Sequence, residues 1–381
     1  MVGGGAGYRA GMRLLAGIGV VALGWGLVGW GGSVGVAESI TGERMEKVQG
    51  DVDGVVRAGA PGGLATVSEN GRDVVRASGV GDRAAGVPLS VDQAWRVRIG
   101  SVTKTFTSAV IMQLVGEGKI GLDEPIETYL PGLLRGNGID GRGITVRQIL
   151  RHQSGIPDLP DDPRVDELGT VRPTTPEQEV AVALEHPAEF APGSKYRYSN
   201  TNYIVAGMLI EKVTGATYAD ELTRRILEPL GLRDTYLPPA GEREIRGPHL
   251  TGYETVNGKV TDVSRIEPSV PWSAGALVST GADVNRFLTA LLAGRVVPRA
   301  QLAQMLDGVP IDEGPGAQYG LGIGRVQLPC GVEYFGHSGG IHGFSTLSGV
   351  TRQGLAVTFA FNSQEVGNPD RLAMVGHALC P

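Results

Sequence analysis

Candidate strands lie at both ends of this chain with helices between them, and that order restricts the fold more than any other feature. Near the start, "GGLATVSENGRDVVRASGVGD" alternates apolar and polar residues on both sides of Asn70-Gly71, a dipeptide suited to a two-residue hairpin turn. Near the end, "VEYFGHSG", "HGFSTLSGVT" and "GLAVTFAFN" read as strands, before a last helix around Asp370 to Leu379. In between, the spacing is helical. From Thr103 onward Phe106, Val110 and Leu114 share one face, and "TVRQIL", "PEQEVAVALEH", "TNYIVAGMLIEKVTG", "YADELTRRILEPLG" and "GADVNRFLTALLAG" follow. Strands placed so far apart must pair with each other. The expectation is an α+β fold: an antiparallel sheet from both chain ends flanked by helices, beside an all-helical lobe, with a ligand cleft between the lobes.

At 381 residues and 41% hydrophobic the chain has material for a substantial core. Its formal charge of -6, without any basic run, gives no footprint for a phosphate backbone and excludes nucleic acid as a partner. Arg9 and Arg13 precede an uncharged apolar run from Leu14 to Gly32, and small residues follow up to Ala37. That order is expected of a signal peptide at 1–37; the alternative is an N-terminal membrane anchor, the only route to a membrane partner. Either way the remainder, 38–381, would face the outside of the cell. Within it the sheet lobe is expected at about 43–100 and 318–381 and the helical lobe at about 101–317. The two cysteines, Cys330 and Cys380, suit a bridge in an oxidising compartment or two buried thiols.

Three short motifs could carry chemistry. In "RIGSVTKTFTSA", Ser101 and Lys104 would lie one helical turn apart on the same face. A serine hydroxyl needs a base to become a nucleophile, and lysine is such a base when burial favours its neutral form. The plain alternative is a helix cap beside a solvated lysine. In "YRYSNTNYIVAGMLIE", Tyr198 could relay protons and Asn200 hold a substrate carbonyl, or both could simply open a helix. In "YFGHSGGIHGFS", His337, Ser338, Gly339 and Gly340 end an aromatic strand whose glycines would let a substrate approach the backbone. Taken singly, each motif has an ordinary structural explanation.

Taken together and in this order, the three motifs resemble the penicillin-recognising serine hydrolases, in the branch of the D-alanyl-D-alanine carboxypeptidases and class C β-lactamases. The resemblance runs from about Glu43 to the end, through "ILRHQSGIP", "APGSKYRYSNTNY", "PWSAGALVST" and "YGLGIGR". It implies a β-lactamase/transpeptidase-like fold, with Ser101 the acylated nucleophile, Lys104 its proton partner and Tyr198 the shared acid and base. Asn200, Trp272, His337, Ser338 and Gly339 would meet the substrate. The backbone N–H groups of Ser101 and Gly340 would form the oxyanion hole, and Arg325 would attract a terminal carboxylate. Secreted carboxypeptidases of the branch also match the late pair Cys330 and Cys380 as a disulfide.

The implied activity is that of an exported serine hydrolase working through an acyl-enzyme on D-alanyl-D-alanine-type peptides and acylated by β-lactams. A β-lactamase or esterase of the same fold is the alternative; a penicillin-binding sensor without turnover is an alternative of another class. A cell-wall peptide or β-lactam is the expected partner, the chain is expected to be a monomer, and no cofactor is implied. Two departures bear on specificity. Family signatures are often written Ser-Asp-Asn and Lys-Thr-Gly where this chain has Tyr-Ser-Asn and His-Ser-Gly. Histidine supplies less fixed positive charge at pH 7 than lysine, and Gly340 stands where a hydroxyl would help bind a carboxylate.

Other candidates fall away. "HGFSTL" fails as a nucleophile elbow because Leu347 stands where glycine is required. His337 and His342 lack the spacing of a zinc site, so no metal is expected. His152 in "RHQSGIP" reads as structural, holding a loop after a helix.

Overall fold

The computed structural model describes residues 40–159, 172–312, 316–364, 367 and 369–381. The expected targeting segment lies outside them. No helix among the described residues is long and apolar enough to cross a membrane.

The strands are β1 Gly62–Glu69, β2 Arg72–Asp82, β3 Val87–Pro88, β4 Val97–Arg98, β5 Arg135–Gly136, β6 Ile139–Asp140, β7 Tyr253–Val256, β8 Lys259–Asp262, β9 Val278–Ser279, β10 Val309–Pro310, β11 Gln318–Tyr319, β12 Gly324–Gln327, β13 Glu333–Ile341, β14 Phe344–Thr351 and β15 Ala356–Phe361. Nine form one antiparallel sheet in the order β10-β11-β12-β13-β14-β15-β1-β2-β3. The two chain ends meet at β1 and β15, where Ala65 pairs with Phe359. Asn70 and Gly71, at φ +50° and +79°, turn β1 into β2 with Glu69 opposite Arg72. Positive φ at both central residues is what the hairpin turn demands.

Both faces of the sheet centre are covered, so β15 is buried along its whole length. Its alternation divides the core. Val357, Phe359 and Phe361 join the cluster under two helices, α1 Gly42–Arg57 and a C-terminal helix at Arg371–Leu379. Ala356 and Ala360 face the larger cluster shared with the helical lobe. Helix α1 was not expected from the sequence. It is capped by Thr41 and buries Met45, Val48, Val52 and Val55 along one stripe.

The next helices are α2 Thr103–Gly116, α3 Val146–Leu150, α4 Pro176–Leu184, α5 Asn200–Thr214, α6 Tyr218–Leu222, α7 Trp272–Gly275, α8 Gly281–Leu292 and α9 Arg299–Leu306, which makes the C-terminal helix α10. Helix α2 is buried on nearly every side, the condition of a central helix. Phe106 stacks on Phe287 of α8 at 3.7 Å between ring centroids. Helix α8, expected within the helical lobe, lies directly on the sheet: its Asn285 accepts from Thr358 of β15 and donates to Thr66 of β1. The lobes therefore share one core.

Cys330, in the turn between β12 and β13, is bridged to Cys380 at the end of α10 across 50 residues. Closing a loop of that size is worth about 4 kcal/mol in the chain-entropy account. The double variant Cys330→Ser/Cys380→Ser should lose stability of that order in urea unfolding. An unchanged midpoint would show that the bridge does not restrain the unfolded chain.

Candidate active site

Ser101 sits in a 3-10 turn, Gly100–Val102, between β4 and α2. Neither that turn nor α2 takes a side-chain cap, so the serine is not capping a helix. The turn is held from three directions. Strand β4 pairs with β9, and buried Arg98 donates to the carbonyls of Arg243, Ser264 and Ile266. Burial lowers the Arg98 pKa to about 10. On the third side β13 presses on the turn. Gly100 has φ +52°, and a Cβ on it would stand 2.9 Å from the Gly340 nitrogen. A Cβ on Gly339 would stand 2.0 Å from the Ile99 carbonyl oxygen. Only glycine fits this approach, and it places the Gly340 amide beside the turn that bears Ser101. Gly340 itself is open: an added Cβ meets nothing nearer than the Gln364 side chain at 3.4 Å.

Lys104 is fully buried, and its Nζ donates to Ser101 Oγ at 3.0 Å, Asn200 Oδ1 at 2.7 Å and the Ala274 carbonyl at 2.8 Å. Desolvation lowers its pKa from 10.5 to about 7, against the opposing pull of Asp158. The two carbonyl acceptors decide what the neutral amine does. They bind its two N–H groups, which leaves the nitrogen lone pair directed at the Ser101 hydroxyl, as general base catalysis requires.

Asp158, which the sequence reading missed, orients this arrangement. Its carboxylate accepts the Asn200 backbone N–H at 2.7 Å and the Asn200 side-chain amide at 3.1 and 3.2 Å. The amide oxygen is thereby turned to Lys104. Asn200, expected to donate to a substrate carbonyl, has its donor on Asp158 in this state. Tyr198 is half-buried, with its hydroxyl oxygen shielded from solvent and Ser101 beside it. Burial raises its pKa well above 10, partly offset by the neighbouring Ser101. Lys104 lies over its ring at 4.8 Å. A phenol so placed is a proton donor at neutral pH, which separates its role from that of Lys104.

His337 is buried on β13, with Nδ1 2.5 Å from the Ser338 carbonyl and Nε2 3.0 Å from the Tyr319 hydroxyl. Burial, reinforced by Lys104, lowers its pKa to about 4. It is therefore a neutral group, not a weaker substitute for a lysine cation. Ser338 is half-buried beside it and Gly339 is closed against Ile99. Two expected substrate contacts, Arg325 and Trp272, also have partners within the protein. Arg325 faces Phe335 across the strand pair, and its Nε pairs with Glu333 at 2.9 Å, which also holds Arg352. The Trp272 ring packs edge-on to Tyr218 at 5.6 Å and against Gly207; the contribution of its short helix is the Ala274 carbonyl on Lys104. Among the described residues no cluster of ligating side chains could hold a metal.

A serine activated by a buried lysine, with a tyrosine at hand and a glycine strand alongside, defines a serine hydrolase of the penicillin-recognising fold. The chain belongs to the Beta-lactamase family, whose model matches residues 38–377. It is similar to a D-stereospecific amidohydrolase from Streptomyces sp., with 39% identity, a TM-score of 0.81 and coverage of 88% of this chain and 98% of that one. Penicillin-binding protein 4 of Amycolatopsis lactamdurans is 28% identical over 79% of this chain and 81% of its own length. A D-aminopeptidase of Brucella anthropi is 29% identical over 74% of this chain, which spans only 52% of that protein.

Because only the neutral Lys104 can take the serine proton, kcat/KM should rise with pH through about 7 and level off above it. Asp158→Asn removes the charge that raises this pKa, so the limb should move to lower pH; an unmoved limb would detach Lys104 from it. The glycines should also separate. Gly339→Ala should cost about 1–3 kcal/mol in thermal or urea unfolding, the usual penalty for overpacking, whereas Gly340→Ala should leave stability unchanged.

Proposed function

We propose that this protein is a serine amidohydrolase for D-configured aminoacyl substrates, releasing a neutral leaving group such as ammonia, an amine or an alcohol. The observation that carries the reading is that the charged groups about the glycine strand are already committed: Lys104, the cation acting on His337, is bound to Ser101, Asn200 and the Ala274 carbonyl and is close to its neutral form near pH 7. His337 is held neutral, Arg325 is paired with Glu333, and Gly340 lacks a hydroxyl. A substrate carboxylate would meet a neutral imidazole and no hydroxyl at this point and would have to compete with Glu333 for Arg325, and burying an unpaired carboxylate is costly. The Asp158 carboxylate beside Asn200 favours a positively charged substrate amine over a negatively charged end. The D-configuration is supported by the names of the amidohydrolase and D-aminopeptidase relatives.

In the proposed reaction neutral Lys104 takes the Ser101 proton as Oγ attacks the substrate carbonyl carbon. The backbone N–H groups of Ser101 and Gly340 stabilise the oxyanion. The amide C–N bond breaks as Tyr198 gives its proton to the leaving nitrogen, and the Lys104 ammonium restores the phenol. Water then attacks the serine ester by the reverse proton path and releases the D-amino acid with free Ser101.

A second reading, a D-alanyl-D-alanine carboxypeptidase acylated by β-lactams, is favoured by the three motifs and by the penicillin-binding relative. Export belongs to both readings and draws on the N-terminal pattern and the disulfide. The test compares a D-aminoacyl amide, its L-isomer, a D-alanyl-D-alanine-terminated peptide and a fluorescent penicillin. The first reading requires turnover of the D-amide well above the other peptides, abolished by Ser101→Ala. Preferred D-alanine release from the peptide would replace it with the second, and labelling without turnover would leave a sensor.

A further inference from the structure

Two buried histidines flank the Tyr319 hydroxyl behind the site. His152 Nδ1 receives the Ser199 backbone N–H at 3.1 Å, and its Nε2 is 3.3 Å from Tyr319. On the other side the same hydroxyl is 3.0 Å from His337 Nε2, while His337 Nδ1 is 2.5 Å from the Ser338 carbonyl. All three rings are buried, with Tyr319 only 4% exposed.

The donors and acceptors permit one assignment of hydrogens for two neutral rings. A backbone N–H only donates, so His152 Nδ1 is bare and its proton is on Nε2, directed at the Tyr319 oxygen. A carbonyl only accepts, so His337 carries its proton on Nδ1 and its bare Nε2 receives the Tyr319 O–H. The chain runs Ser199 N–H to His152, His152 to Tyr319, Tyr319 to His337, and His337 to the Ser338 carbonyl. Every polar atom of both rings is engaged. His337 therefore offers a substrate neither charge nor a free donor.

We propose that Tyr319 is a specificity-determining positioning residue: its hydroxyl bridges His152 and His337 and locks His337 as the neutral Nδ1–H tautomer, so that this side of the cleft accepts uncharged leaving groups and refuses a carboxylate. The ionisable groups facing the relay agree with neutral rings. They are Lys104 from α2, Tyr196 and Tyr198 from the segment before α5, and Tyr203 from α5. Strand β14 contributes only the Ser348 hydroxyl, on the His337 carbonyl. A proton added to His337 Nε2 would oppose the Tyr319 O–H, which would have to give up His337 and turn toward the Tyr203 hydroxyl.

The substrate arm of this proposal rests on the amidohydrolase reading; the tautomer arm does not. Imidazole nitrogen NMR on the full chain, with resonances assigned from His152→Gln and His337→Gln, should show His152 as Nε2–H and His337 as Nδ1–H, both neutral from about pH 8 to about pH 5.5, where a free imidazole would charge. In Tyr319→Phe, which keeps the ring, the midpoint at which His337 takes up a proton should move up by about one pH unit, the tenfold scale of one lost hydrogen bond. The ratio of kcat/KM for a carboxylate-terminated D-dipeptide to that for the matching amide should then begin to rise at about one pH unit higher than in the wild type as pH falls. A charged or Nε2–H His337 in the wild type, or an unmoved onset in folded Tyr319→Phe, overturns the proposal. If Tyr319→Phe does not fold, the wild-type tautomers decide it. Correct tautomers in an enzyme inert to both substrates would defeat the amidohydrolase reading while the lock stands.

Discussion

The structure is organised around an amine taken out of water. A lysine ammonium without compensation is expensive to bury, and Lys104 is surrounded by what makes its burial tolerable: two carbonyl oxygens, a serine hydroxyl and the nearby Asp158 charge. Those groups come from different places. Asn200 opens α5, Ala274 lies on α7, Ser101 is in the turn after β4, and Asp158 follows α3. A change in the packing of any of these elements would be felt at one nitrogen. The same burial brings Lys104 close to neutrality near pH 7, so one constraint both demands the surrounding packing and creates the base.

The electrostatics of the cleft follow from this arrangement. Burial, reinforced by Lys104, depresses the basicity of His337 and His152, and burial holds Tyr198 as a phenol. Ionisable groups are crowded together, yet the charge kept near neutral pH is mainly that of Asp158 and whatever fraction Lys104 carries. Hydrogen-bond direction does most of the organising. Carbonyl groups fix the lone pair of Lys104, and a backbone N–H and a carbonyl fix the two imidazoles.

Much of the fold was legible because it rests on local periodicity. The Asn70-Gly71 turn with the alternation on both sides of it, the strand-like runs near the C-terminal end and the apolar face of α2 are properties of short segments, and the need for distant strands to pair follows from them. Helix α1 was missed although its stripe of Met45, Val48, Val52 and Val55 is regular, because charged residues surround it and the hairpin dominates that region. The nucleophile, base and phenol were legible through three motifs in order. What was not legible depends on contacts between distant residues. Nothing local says that Glu333 pairs with Arg325, that Asp158 turns the Asn200 amide, or that His152 and His337 meet through Tyr319. His152, read as structural, does stand after a helix, but its neighbours in space come from β11 and the segment before α5.

Gly339 and Gly340 are adjacent and chemically identical, yet the fold treats them oppositely. The first is closed by the Ile99 backbone and the second opens toward solvent with room for a side chain. Evolution can therefore explore position 340 without reopening the question of foldability. A hydroxyl introduced there would arrive beside an intact nucleophile, and substrate preference could drift by single substitutions while architecture stays constant. Divergence of function within one scaffold would in this case be written into the difference between two neighbouring glycines.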